Sequence, residues 1–153
     1  MTEALAKPRG LSVRASRVVP ASPAEIYCAF TDPTLATAWW GKTEKAEVAG
    51  YEIAARSGGT FHFRRRTAKG ADEVSSGEFV EVNPHKLVFT WRSPGSEPPV
   101  EDSHVTMELL DLKDGSTRVV VTHEGLPTPT AANARSAGWH DMLQDMSLHF
   151  AAA

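Results

Sequence analysis

Cysteine is almost missing from this chain of 153 residues, where Cys28 stands alone. One thiol cannot close an internal disulfide, so the chain must hold itself together by packing, and a reducing cytoplasm is the expected location. Long hydrophobic runs are missing too. No stretch approaches the roughly 18 apolar residues that cross a bilayer, so membrane insertion is not expected. Neither sign of charge dominates: 16 Lys and Arg against 19 Asp and Glu leave a formal charge of -3. That balance argues against a dedicated nucleic-acid binder. No Gly-x-Ser-x-Gly, phosphate-binding loop or His-Glu-x-x-His occurs, and nothing in the sequence calls for a cofactor. His140 and His149 stand nine residues apart, on different faces of a helix, so a zinc site is not expected there. Residues 1–10 carry no apolar segment of a secretory leader and read as a flexible tail. The remainder, 11–153, reads as one domain without internal repeats.

What is present is a long amphipathic segment near the end of the chain. Trp139, Met142, Leu143, Met146 and Phe150 recur at helical spacing and form one apolar stripe, with Asp141, Gln144 and Asp145 assigned to the solvent side. Thr128 followed by Pro129 supplies an N-cap and a favoured first helical residue, after a turn formed by His123-Glu124-Gly125-Leu126-Pro127. The helix should run from Thr128 to Phe150, about 22 residues or roughly 33 Å. A helix of that length with a single stripe needs a broad apolar surface to lie on.

The preceding residues supply strands for that surface. Leu11 to Val19 alternates, and Ser22-Pro23-Ala24-Glu25 is a capping box that opens a short helix carrying Ile26, Ala29 and Phe30 inward. Asp32-Pro33 repeats the signal for a second short helix through Trp39 and Trp40, stopped by Gly41. Period-two patterns then follow around Val48 to Ile53 (interrupted near Gly50), Thr60 to Arg66, Val74 to Val82, Leu87 to Trp91, Val105 to Leu109 and Val119 to His123. Turn signals at Ser57-Gly58-Gly59, Lys69-Gly70, Asn83-Pro84 and Asp114-Gly115 separate them, with a proline-rich loop from Ser93 to Val100. With no crossover helices between these strands, a parallel βαβ sheet is excluded. The expected fold is α+β, a curved antiparallel sheet closing around the C-terminal helix, with two short helices after the first strand.

Several pieces of this sequence together resemble the Hsp90-ATPase-activator-like branch of the START-related, helix-grip superfamily. They are Ser22 to Tyr27, Thr31-Asp32-Pro33 with Trp39-Trp40, Gly58 to Phe63, Gly77 to Val82, Leu87 to Trp91, Gly115 to Arg118, Thr122 to Pro127 and Gly138-Trp139. Arg135 departs from the pattern, standing where the family often has histidine. The resemblance implies a cavity between helix and sheet that takes apolar molecules. It also implies two other kinds of role, a cyclase, dehydratase or hydrolase using the same pocket, or a co-chaperone-like interaction module. Homodimers are common in the superfamily.

The candidate ligand-binding residues are Trp39, Trp40, Phe61, Phe63, Trp91, Met107, His123, Trp139, Met142, Leu143 and Met146. Aromatic rings and adaptable methionines suit an apolar pocket, although each alone is equally a core residue. His123 falls on the face of Val119 and Val121, where it would either be satisfied at a turn, contact a ligand, or act as acid or base in an enzyme. Arg65, at the centre of Arg64-Arg65-Arg66, is a candidate to reach inward toward an anion. Cys28, with no histidine or basic residue beside it, is expected to be buried and inert.

Overall fold

The computed structural model describes residues 10–36, 46–67, 72–94 and 99–151. Its elements are β1 (Leu11–Val19), α1 (Pro23–Thr31), α2 (Pro33–Ala36), β2 (Ala46–Ile53), β3 (Thr60–Thr67), β4 (Asp72–Asn83), β5 (Lys86–Ser93), β6 (Val100–Asp111), β7 (Thr117–Leu126) and α3 (Pro129–Ala151). This is the expected order. The strands make one seven-stranded sheet, β1-β7-β6-β5-β4-β3-β2, in which every pairing is antiparallel. β2 to β7 form a meander, and β1 joins its far edge beside β7.

Local signals fix the helix starts. The Ser22 side chain accepts from the Glu25 N–H at 3.2 Å, while Glu25 Oε1 accepts from the Ser22 N–H at 2.9 Å. This reciprocal pair satisfies two donors that a helix start leaves open. Asp32 Oδ1 accepts from the Thr34 N–H at 2.9 Å, and Thr128 Oγ1 accepts from the Ala131 N–H at 3.1 Å to begin α3. The continuation of α2 through Trp39, Trp40 and Gly41, the turn at Lys69-Gly70 and all of the tail but Gly10 lie outside the described residues.

Bulges bend the sheet. The pairing register shifts between Val48 and Gly50, Phe79 and Glu81, Trp91 and Ser93, and Leu11 and Ser12. Each extra residue bends its strand and tightens the local twist. One bulge corrects the expected turn at residues 123–127. β7 continues to Leu126, with Ser12 opposite Glu124 and Leu11 opposite Leu126. Gly125 is the residue left over, at φ 86°, a left-handed backbone that costs glycine little. The chain therefore absorbs a residue there rather than reversing.

The apolar faces of α3 and the sheet meet as the stripe predicts. Trp139, Met142, Leu143 and Met146 are buried, and Phe150 is partly buried against the same cluster. α3 lies along β1 and β7, and the core extends beneath it across β3 to β6 through Phe61, Phe79, Phe89, Val105 and Met107. Two side chains differ from expectation. Cys28 is exposed, because it projects from the side of α1 opposite Ile26, Ala29 and Phe30. Asp145 is half-buried rather than solvent-facing, since it lies three residues beyond Met142, at the border of the stripe.

Candidate functional site

Alternation along five strands decides what faces α3. On β3 it presents Phe61 and Phe63, on β4 Ser75 and Phe79, on β5 Leu87, Phe89, Trp91 and Ser93, on β6 Ser103, Val105 and Met107, and on β7 Val119, Val121 and His123, all buried. Registry then brings particular residues side by side. Trp91 pairs with Ser103, and Val105 pairs with His123. Gly77, opposite Phe61 on β3, has no side chain there. A Cβ would lie 2.7 Å from the Phe61 ring and would also collide with the Thr90 carbonyl oxygen. The missing side chain lets Phe61 pack against Trp91, with ring centroids 5.8 Å apart.

His123 sits at the centre of a chain of hydrogen bonds and is 0 % exposed. The Trp139 indole Nε1–H donates to His123 Nδ1 at 2.9 Å. An indole nitrogen only donates, so Nδ1 must carry the lone pair and Nε2 the proton. Nε2 lies 2.8 Å from Ser103 Oγ, and the Ser103 hydroxyl donates to the Trp91 carbonyl at 2.8 Å. Every proton in this chain has one direction: Trp139 to His123, His123 to Ser103, Ser103 to the Trp91 backbone. The chain ties α3 to β7, β6 and β5. Burial, then the positive charge of Arg135, then His104, push the imidazole down to about 3. His123 is neutral at physiological pH, and both of its nitrogens are engaged.

The rings around this chain pack edge to face. Trp91 and Trp139 have centroids 5.3 Å apart, and His123 stands 5.9 Å from each. Beyond Trp91, Ser75 and Ser93 place their hydroxyl oxygens 3.2 Å apart inside the core. The polar groups of the inner face thus gather in one region, within a surface otherwise made of rings and aliphatic chains. One of them is unmatched. Trp91 is 4 % exposed, and its Nε1 is buried without a hydrogen-bond partner among the described residues.

A family model described as "Activator of Hsp90 ATPase homolog 1-like protein" matches residues 20–151. The chain belongs to that family. Solved structures of the same fold include a protein from Chromobacterium violaceum, 25% identical, with TM-score 0.79, covering 91% of this chain and 96% of that one. An AHSA1 protein from Silicibacter pomeroyi is 20% identical, with TM-score 0.77 over 92% of this chain and 98% of the other. An HSP90 activator from Plasmodium falciparum is 23% identical, with TM-score 0.71 over 91% and 95%. No curated protein matches.

Within this Hsp90-activator-homologue-like domain, Phe61, Trp91, His123 and Trp139 come together as one ring cluster. Phe63, Met107, Met142, Leu143 and Met146 belong to the same core. Trp39 and Trp40 lie outside the described residues. Arg64 and Arg66 are exposed, and the Arg65 side chain is not among those described. Sequence reasoning missed Ser75, Ser93 and Ser103. Carrying the alternation of Val105 and Met107 back by two residues would have placed Ser103 on the inner face, and carrying that of Trp91 forward by two would have placed Ser93. Among the described residues, no group of three or more His, Cys, Asp or Glu is arranged to hold a metal ion, and no helix is long and apolar enough to cross a membrane.

Proposed function

We propose that this domain binds a small apolar or amphipathic molecule between α3 and the inner face of the sheet. The observation that carries the reading is the cluster of buried polar groups within the aromatic inner face: Ser75, Ser93, Ser103, His123 and the Trp91 N–H. Burying a polar group costs free energy unless a hydrogen bond offsets it, and here the serines and His123 are offset by one another while the Trp91 N–H is not. A ligand site combines an apolar wall with a few fixed polar groups that set orientation. In this reading Phe61, Phe63, Trp91 and Trp139 form the wall. Met107, Met142, Leu143 and Met146 adapt to the shape of the occupant, the methionines through their flexible thioethers. Trp39 and Trp40 remain candidates to touch the ligand.

His123 acts here as a fixed part of the wall. With Nδ1 accepting from Trp139 and Nε2 against Ser103, it has no free lone pair to take a proton from a substrate. The acid–base reading is therefore not adopted. The binding reading is tested by thermal unfolding in the presence of a panel of sterols, fatty acids, alkyl ketones and aromatic polyketides. A true ligand raises Tm with concentration, as mass action requires of anything that binds only the folded state. A panel that moves nothing would count against the reading and bring the protein-interaction role, with a chaperone as partner, to first place.

A further inference from the structure

We infer that the Trp91 indole N–H is the donor that orients the ligand, and that the ligand therefore carries a neutral carbonyl oxygen on an apolar body. The inference rests on the binding reading above and narrows it. Around Trp91 the polar groups are otherwise matched. Its own carbonyl takes the Ser103 hydroxyl, the Ser103 oxygen takes His123 Nε2–H, and His123 Nδ1 takes the Trp139 N–H. Of the two indole donors in the cluster, one is used inside the protein. The other is left buried and unpaired. An unpaired buried donor is a net cost that a phenylalanine ring of similar apolar area would avoid, so its presence calls for a partner outside the chain.

The packing indicates how that partner arrives. Nε1 is buried, so an acceptor reaches it only when a neighbouring side chain moves. Trp139 is held by its bond to His123, and His123 is held at both nitrogens. Phe61, 5.8 Å from Trp91 between ring centroids, is held by packing alone. Phe61 is therefore the ring whose displacement breaks no side-chain hydrogen bond. The donor is neutral and the rings beside it carry no charge, so a carboxylate would be buried without compensation. Arg135 acts on His123 through its charge, and a carboxylate probe tests whether that charge reaches the ligand as well.

The test uses the full chain with nitrogen-labelled tryptophan and follows the indole resonances by NMR. The Trp91 signal is assigned by its contacts to Phe61 and by its loss in Trp91→Phe. Decyl methyl ketone, dodecane and lauric acid serve as probes of matched length. The ketone should move the Trp91 indole proton downfield and bind roughly three- to tenfold more tightly than dodecane, the range one neutral hydrogen bond supplies. In Trp91→Phe that preference should vanish. Should the variant not fold, the wild-type indole shift decides alone. Ketone and alkane binding equally well, with the Trp91 signal unmoved, would overturn the inference while leaving the binding reading intact. Lauric acid binding more tightly than the ketone at pH 8 would overturn the neutral carbonyl. If none of the three probes binds, this inference fails, while the reading beneath it stands or falls on the wider thermal-unfolding panel.

Discussion

The clearest perturbation of this domain is acid acting on His123. In the unfolded chain the imidazole takes a proton near pH 6.5, whereas in the fold it stays neutral down to about 3, chiefly because it is buried and secondarily because of Arg135 and His104. Between those values the unfolded state binds more protons, so stability rises with pH, and what this site contributes is lost as pH falls through that window. At pH 5 the loss relative to pH 8 is on the order of 2 kcal/mol, and the ceiling near pH 3 is roughly 5 kcal/mol. Geometry supports the direction independently. A proton on Nδ1 would face the Trp139 N–H, 2.9 Å from that nitrogen, and break the bond that ties α3 to the sheet. The assay is urea unfolding at pH 8, 7, 6 and 5 for wild type and His123→Gln, a variant that can accept from Trp139 and donate to Ser103 without titrating. Other titrating groups cancel in the comparison. The wild type should lose about 2 kcal/mol more than the variant between pH 8 and pH 5. Parallel slopes would refute the reasoning, as would an NMR titration placing the His123 midpoint near its ordinary value.

Three other substitutions probe the same architecture. Trp139→Phe keeps a ring but removes the donor to His123 Nδ1, leaving a buried acceptor unpaired, and should cost about 1–3 kcal/mol in urea unfolding. Gly77→Ala places a Cβ against the Phe61 ring and the Thr90 carbonyl, and should lower stability by about 1–3 kcal/mol or more, seen as a lower Tm and weaker expression of folded protein. Asp145→Asn should raise Tm at pH 7.5, because burial, and then Asp141, lifts this carboxyl above its ordinary range. A raised carboxyl contributes most when protonated, and that contribution is lost as pH rises through its folded value, so the gain from Asn should disappear in acid.

Much of this architecture can be read from periodicity. The element order, the shared face of Val119, Val121 and His123, and the stripe from Trp139 to Met146 all follow from spacings of two or of three and four residues. What periodicity does not give is the pairing of distant elements. Trp139 lies 16 residues beyond His123, on a different element, and their hydrogen bond depends on where α3 crosses the sheet. Ser103 meets Trp91 and His123 only through the registers of β5–β6 and β6–β7. The expected turn at Gly125 failed for a related reason. A glycine between two strand-like residues signals a bulge as well as a turn, and the partner strand β1 decides between them. Cys28 and Asp145 were misplaced by less. Their positions relative to Ile26 and Met142 on a helical wheel already contain the answer. The unpaired Trp91 N–H, on which the ligand chemistry rests, has no signature in sequence.

Native mass spectrometry of the freshly purified protein, followed by denaturation and analysis of what is released, tests the central claim most directly. The account predicts a stoichiometric adduct that leaves on denaturation and proves to be an apolar molecule bearing a carbonyl. A protein that is empty as purified, and stays empty after incubation with such molecules up to their solubility limits, would contradict it.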